Sequence, residues 1–430
     1  YSSAASDVYK RQDTAQQNSY VTIPRAANSF DNTEIAANID EDIIDSLTGG
    51  RLVGSVTSFE NFAECPLRYY LRYGVDLKER EEFTFSPVNF GVVLHAVIRE
   101  VCDEIKKNGE SYYLISEEKR REMVKRSVAA ITDIYQNSIL KDSSRNSFMI
   151  KRMEDLADRT IWAMGEQLKC GDFVPFVFEH KFNMEVGDGD RKQLMSGTID
   201  RVDICENGTD VYVRIIDYKT GKKDFNIVKT YYGIDIQLMV YMEAAMKLVA
   251  KMRPGKNVIP AGVFYYNISD PIVSATTESA EEIEDKIKGE LRLKGMVNSD
   301  KDIAEKMDNT EGTSLNIPVS RKADGGFDSR RSKVMNTEQF NILGRFVDVR
   351  AIDTADRIVG GDIRRSPYKD GQFSSCDRCP YGAVCGFSVD LPGCNYRKLK
   401  KFDDEVLWNN IKEGVDENGK KMDTGAEERD

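Results

Sequence analysis

The 430-residue chain lacks the marks of a membrane or secreted protein. No run approaches the roughly 18 consecutive apolar residues that a membrane-crossing helix needs. No charged start followed by an apolar core and a small-residue cleavage site opens it. A cytoplasmic location and no membrane partner are therefore expected. Eight cysteines are too few for a disulfide scaffold. Histidine is scarcer still, at two residues, which puts weight on each. No segment reads G-x-x-x-x-G-K-[ST], so no loop to cradle the phosphates of ATP is present. The nearest echo, "YKTGKKD", has Ile216 where the first glycine would stand. No internal repeat is visible.

What remains is an ordinary globular composition, 40% hydrophobic and 31% charged. The net charge of -11 belongs to the ends: residues 1–50 hold 3 basic against 8 acidic side chains, and residues 402–430 hold 4 against 10. The body between them is neutral, so it can carry local basic patches such as "EEKRREMVKR", "RRSK" and "RKLKK", although solvated faces are the plainer reading of all three. The organisation expected is a non-native segment over 1–12 ("YSSAASDVYKRQ"), a linker or remnant of a preceding domain over 13–50, an organised body over 51–401 and an acidic, disordered tail over 402–430.

In the body, "TSFENFAECPLRYYLRYG" predicts a helix capped by Thr57 or Ser58 and broken at Pro66. "NFGVVLHAVIREVCDEIKKNG" predicts a second, because Leu94, Val97, Ile98, Val101 and Ile105 recur at helical spacing and Asn108-Gly109 stops it. Two amphipathic stretches follow, near 117–140 and 145–169. The pattern then turns strand-like in "FVPFVFEHKF", "QLMSGTIDRVDI" and "DVYVRIIDYKTGK", before a long helix, "DIQLMVYMEAAMKLVAKM", and another strand, "AGVFYYNI". This order predicts an α/β fold with a central mixed sheet flanked by helices.

Chemistry concentrates in two places. In "VYVRIIDYKTG", strand alternation aims Asp217 and Lys219 at one face, and "GTIDRVD" places Asp200 in another strand. Carboxylates suit a hard divalent cation such as magnesium, and a lysine beside it can assist the attacking water and offset phosphoryl charge. A lone D-x-K is more often a surface ion pair, but its context adds weight. His95 lies at the edge of its helix's apolar stripe one turn after Gly91, and Gln237 and Tyr241 stand four apart on one helical face. Far downstream, "SSCDRCPYGAVCGF" holds Cys376, Cys379 and Cys385 in C-x2-C-x5-C spacing, one thiolate short of a tetrahedral sulfur site. Cys394 is one local candidate for the fourth ligand, in a zinc site.

Gly91-x-x-x-His95, Gly197-x-Ile199-Asp200-Arg201-x-Asp203, Asp217-Tyr218-Lys219-Thr220-Gly221 and Gln237-x-x-x-Tyr241, in that order, resemble the RecB-like branch of the PD-(D/E)XK nucleases. The resemblance covers nearly all of Val53 to Lys401. It implies that His95, Asp200 and Asp217 bind Mg2+, with Mn2+ able to substitute and the Tyr218 carbonyl a further ligand. Lys219 would be the catalytic lysine and Gln237 and Tyr241 would support substrate or site geometry, with Glu179 in "FEHKF" a looser candidate to assist. Iron-sulfur members of this family split their ligands, one cysteine before the nuclease motifs and three after. By that resemblance Cys65 in "AECPLRYY" joins Cys376, Cys379 and Cys385 around one iron-sulfur cluster, 4Fe-4S, a clasp between the N- and C-terminal helical segments. Leu67 departs from the pattern, which has an aromatic after the proline. The likeness is greatest to the AddB-type members, which implies a longer parent with a helicase-like region, an AddA-type helicase-nuclease partner, and magnesium-dependent 5′ to 3′ exonuclease action on single strands from unwound DNA ends. Two rival readings are a catalytically silent DNA-end-binding scaffold and a standalone CRISPR-type iron-sulfur nuclease.

Overall fold

The computed structural model describes residues 38–40, 42–43, 52–78, 87–134, 144–186, 193–274, 278–391 and 394–427. The expectations for 1–12 and for most of 13–50 lie outside the described residues. Chain contacts divide the molecule into two units, where the sequence reading draws one body over 51–401. The larger comprises Arg51–Ala63, Lys78–Asp356 and Lys400–Asp430, and the smaller includes Glu64–Leu77 and Arg357–Leu399.

The chain enters through β1 (Val53–Ser55) and α1 (Val56–Glu64). The helix starts one residue before the expected caps: Ser55 Oγ accepts from the Ser58 amide at 3.1 Å, so Ser55 does the capping. Pro66 breaks the helix as expected, and α2 (Pro66–Tyr69) follows with a π-helical turn at Tyr70–Gly74. Three long helices come next: α3 (Pro87–Lys107), α4 (Glu117–Ile134) and α5 (Ser144–Lys169). The predicted stripe of α3 is its buried face, since Leu94, Val97, Ile98, Val101 and Ile105 are each at most 1% exposed. It packs into one large core with residues of α4, α5 and the sheet, including Val128, Ile161, Ile216 and Phe264. The basic stretch of α4 is tied up in ion pairs, Arg120 to Asp158 at 2.7 Å and Arg126 to Glu104 at 2.5 Å, and is a solvated face.

Seven strands form the main sheet. They are β1, β2 (Val174–Val186), β3 (Gln193–Asn207), β4 (Asp210–Lys219), β5 (Asn257–Asn267), β6 (Lys294–Asn298) and β7 (Val334–Met335). Their order is β1-β3-β4-β5-β6-β7, with β2 on the other side of β3. β3 and β4 are antiparallel neighbours joined by Gly208-Thr209, where Gly208 takes a left-handed φ of 60° that glycine adopts without strain. β4 and β5 run parallel, which requires a crossover. That crossover carries α6 (Ile227–Tyr231) and α7 (Gln237–Met252). Parallel and antiparallel pairs alternate across the sheet, so the expected mixed α/β architecture is what forms. Beyond it the larger unit adds α8 (Ala280–Glu290), α9 (Lys301–Met307) and α10 (Thr337–Val359), the last of which runs on into the smaller unit.

The smaller unit holds a three-stranded sheet of β8 (Tyr368–Asp370), β9 (Phe373–Ser374) and β10 (Arg397–Lys398), and the short helical turn α11 (Gly382–Cys385). The final helix α12 (Asp404–Glu427) corrects the expectation of a disordered tail. Average composition hid a short apolar stripe. Leu407 and Ile411 are 3% and 0% exposed, and Gly414 sits so close to the Phe346 ring that an added Cβ would meet it at 2.8 Å. No described helix is long and apolar enough to cross a membrane.

Candidate active site

Strand register brings the first carboxylates together. In the antiparallel pairing of β2 with β3, Glu179 falls between the pairs Phe178↔Arg201 and His180↔Ile199, opposite Asp200. Glu179 has φ of 49°, a left-handed backbone that a glutamate adopts only at a cost in strain. From α3, His95 Nδ1 reaches to 3.4 Å from Asp200 Oδ1 and 3.7 Å from Glu179 Oε1. Among the described residues only this trio brings three donor atoms within 4.8 Å of one another. Burial opposes the imidazolium, but the two carboxylates outweigh it and push His95 up to about 10. The imidazole also meets the Tyr218 ring edge-on, with centroids 5.9 Å apart.

Asp217 and Lys219 share a face of β4, as alternation predicts, and pair at 2.5 Å between Oδ2 and Nζ. Asp217 is 2% exposed; burial and the nearby Asp200 push it up to about 7 against the pull of Lys219. That Oδ2 is buried, and its one close partner is the Lys219 ammonium. Asp200 Oδ2 accepts from the Tyr218 amide at 2.6 Å, which ties β3 to the turn of chain bearing the D-x-K.

The resemblance implies that Gln237 and Tyr241 support substrate or site geometry. Their side chains form a relay: Lys219 Nζ donates to Gln237 Oε1 at 2.9 Å, and Gln237 Nε2 donates to the Tyr241 hydroxyl at 2.9 Å. Gly197 makes room for this, since a Cβ there would lie 2.7 Å from the Phe182 ring and 3.0 Å from that of Tyr241. Beneath the site, Arg201 grips Asp203 through two bonds of 2.7 and 2.6 Å, and Arg214 adds a third at 2.9 Å. Burial opposes the Asp203 charge, yet the two guanidinium groups hold it below the usual carboxylate range. Asp203 thus ties two strands together.

Three participants left no trace in the sequence reading: Glu60, Lys223 and Asp235. Lys223 Nζ lies 3.0 Å from Asp235 Oδ1, and Tyr265 donates to the same oxygen at 2.6 Å. The Nζ atoms of Lys219 and Lys223 lie 5.6 and 4.5 Å from the Tyr265 ring centre. Beside Thr220 and Lys223 opens a cavity of about 850 Å3 whose rim includes Arg152, Lys222 and Lys294.

In the smaller unit, Cys65, Cys376, Cys379 and Cys385 line one pocket. Local turns present them: the Cys379 amide bonds to the Cys376 carbonyl at 3.1 Å, and α11 ends at Gly386 with φ of 60°. Burial pushes the Cys376 thiol up to about 11, with Cys65, Cys379 and Cys385 adding to the rise and Tyr396 opposing it. Cys394 is buried and lies off this pocket. No three cysteine sulfurs among the described residues lie within 4.8 Å of one another.

Comparison with known proteins agrees with this architecture. The family model of the PD-(D/E)XK nuclease superfamily matches residues 54–386. An ATP-dependent helicase/deoxyribonuclease subunit of Lachnoclostridium phytofermentans is 34% identical over 401 residues, covering 91% of this chain and 34% of the relative. Proteins of the same description from Thermoanaerobacter sp. and Clostridium acetobutylicum are 33% and 34% identical, over 86% and 89% of this chain and 33% and 34% of their own lengths. The chain spans about a third of the length of these curated relatives.

Proposed function

The chain belongs to the PD-(D/E)XK nuclease superfamily, and from that premise we propose that it is the nuclease domain of an AddB-type protein, a Mg2+-dependent deoxyribonuclease that cuts single strands from unwound DNA ends. The observation that carries the proposal is the packing of His95, Glu179 and Asp200 donor atoms within 4.8 Å, beside the Asp217–Lys219 pair. The donor set fits a hard divalent cation, because its members are carboxylates with one imidazole. His95, Asp200 and Asp217 would hold the ion, with the Tyr218 carbonyl as a further donor, and the imidazole admits Mn2+ as a substitute. When bound, such an ion supplies Lewis acidity toward a phosphoryl oxygen.

The chain's own groups do the rest. Lys219 is held between Asp217 and Gln237, so its ammonium stays aimed at one side of the site. There it offsets charge that builds on the phosphate and orients the attacking water. Tyr241 fixes the amide of Gln237 and thereby the direction of the lysine. The neighbouring cavity carries Lys222, Arg152 and Lys294 beside Asp224, Asp270 and Glu290, a mixed-charge lining in which the three bases are the groups able to meet the strand's phosphates. The relatives' description as ATP-dependent helicase/deoxyribonuclease subunits supports a role beside a helicase; the setting of double-strand-break processing, the AddA-type partner and the 5′ to 3′ direction are what the family resemblance implies.

The four thiols of the smaller unit are assigned to an iron-sulfur cluster, 4Fe-4S, with a structural role. Their shared pocket, with Cys394 off it, favours the split ligand set. An end-labelled single strand tests the nuclease reading: cleavage that needs a divalent ion and is lost in Asp217→Ala and Lys219→Ala supports it, and unchanged cleavage in either variant overturns the site.

A further inference from the structure

The helix that delivers Gln237 and Tyr241 begins with a residue unable to cap it. α7 has Ile236 at its N-cap, and no side chain at that position accepts a hydrogen bond from the first turn. The neighbouring Asp235 is the residue type that normally would. It is engaged elsewhere, accepting from the Tyr265 hydroxyl and paired with Lys223. The amides of Ile236 and Gln237 donate instead to one oxygen of Glu60, at 3.0 Å each, from α1 some 176 residues earlier in the chain. Glu60 keeps some exposed surface, but its carboxylate end reaches backbone of residues only 2% and 7% exposed. A negative group at this end of α7 is also favoured by the helix dipole.

We propose that Glu60 is a positioning residue of the nuclease centre: by clamping the first turn of α7 it sets where the Gln237 amide meets Lys219 Nζ. Glu60 touches neither the donor trio nor Lys219 by hydrogen bond; beside the electrostatic pull it shares with Lys223 and Lys219, its bonded reach into the site is the path through the Gln237 backbone and side chain to the lysine. The same residue that receives the clamp on its amide holds the lysine on its side chain. A small rotation of this turn would therefore move the lysine's anchor directly. The inference rests on the nuclease reading.

The test compares Mg2+-dependent cleavage of an end-labelled single strand by the full chain and by Glu60→Ala, Glu60→Gln, Glu60→Asp, Gln237→Ala and the Glu60→Ala/Gln237→Ala double variant, with thermal melts alongside. Glu60→Ala is expected to lower kcat about 10- to 100-fold with KM within about twofold. Glu60→Gln, whose amide oxygen can accept from the same two amides, should recover most of that loss. The double variant should be no slower than Gln237→Ala alone, because both changes cut one path. If Glu60→Ala does not fold, Glu60→Asp decides: it keeps the charge but withdraws the oxygen by one methylene, and wild-type kcat there would overturn the proposal. Losses that multiply in the double variant, or a change confined to KM or melting temperature, would overturn it too. Equal cleavage by wild type and Lys219→Ala would instead overturn the nuclease reading itself, whereas a loss in Lys219→Ala beside an unaffected Glu60→Ala removes only the positioning role.

Discussion

The carboxylate site and the thiol pocket reach order by different routes. Asp200, Asp217 and Glu179 sit on three strands paired in one sheet, and His95 joins from a helix buried along its whole inner face. Backbone ladders fix these donors to within a rotamer, and the Tyr218 amide and Gln237 side chain finish the alignment. The cysteines sit on turns and a four-residue helix, and the chain between Cys65 and Cys376 runs through 311 positions. A sheet places the carboxylates by local register, while the thiols share a pocket only by closing a long loop. The first arrangement suits chemistry that tolerates little misplacement. The second suits a clasp.

Breaking the hard site should have the largest effect. Asp217→Ala and Lys219→Ala are each expected to slow cleavage of labelled single strands about 10³-fold, while iron and sulfide content in anaerobically purified protein stays at the wild-type level. A parallel loss of iron would show that the two regions are not separable in this way. Next comes Cys65→Ser, expected to lose the brown absorbance and the iron together. The loop-closure formula for cross-links puts the associated stability at no more than about 5 to 6 kcal/mol, read from urea melts. Full iron in Cys65→Ser with loss in Cys394→Ser would move the fourth ligand to the local set.

A smaller effect is expected beneath the hard site. Arg201→Ala leaves Asp203 buried with one partner in place of two, and should cost about 3 to 5 kcal/mol in denaturant unfolding, with iron content unchanged. Wild-type stability there would mean that strand pairing alone fixes the register. The smallest effect lies away from both sites, at Asp348, whose carboxyl is pushed up to about 8 by burial and by Glu243. A carboxyl with a folded-state value above its unfolded one takes up a proton on folding. Its contribution is complete below about pH 4 and is lost as pH rises through about 8. Asp348→Asn should flatten the fall in melting temperature between pH 5 and 9 by about 2 °C; an unchanged slope would show that this pair does not titrate in that window.

Much of this was legible because it depends on short periodicities. Alternation alone puts Asp217 and Lys219 on one face, and three- and four-residue spacing gives the buried stripe of α3. The helix break at Pro66 follows from the missing amide of proline. What escaped depends on pairings between distant segments or on backbone states without a residue signature. Glu60 looks like any surface glutamate of an amphipathic helix until Ile236 and Gln237 meet it. The left-handed φ of Glu179 occurs at a residue type that gives no warning of it. The last helix was missed because two buried side chains, Leu407 and Ile411, are diluted among charges.

Gly197 shows how little tolerance the arrangement has. With no side chain of its own, it leaves the hollow in which the Tyr241 ring rests against Phe182. One methyl group added there would press on the Phe182 ring at 2.7 Å and crowd the Tyr241 ring at 3.0 Å, and through Tyr241 it would disturb the Gln237 amide that holds Lys219. Sequence drift is thus restrained at a position that offers no functional atom of its own.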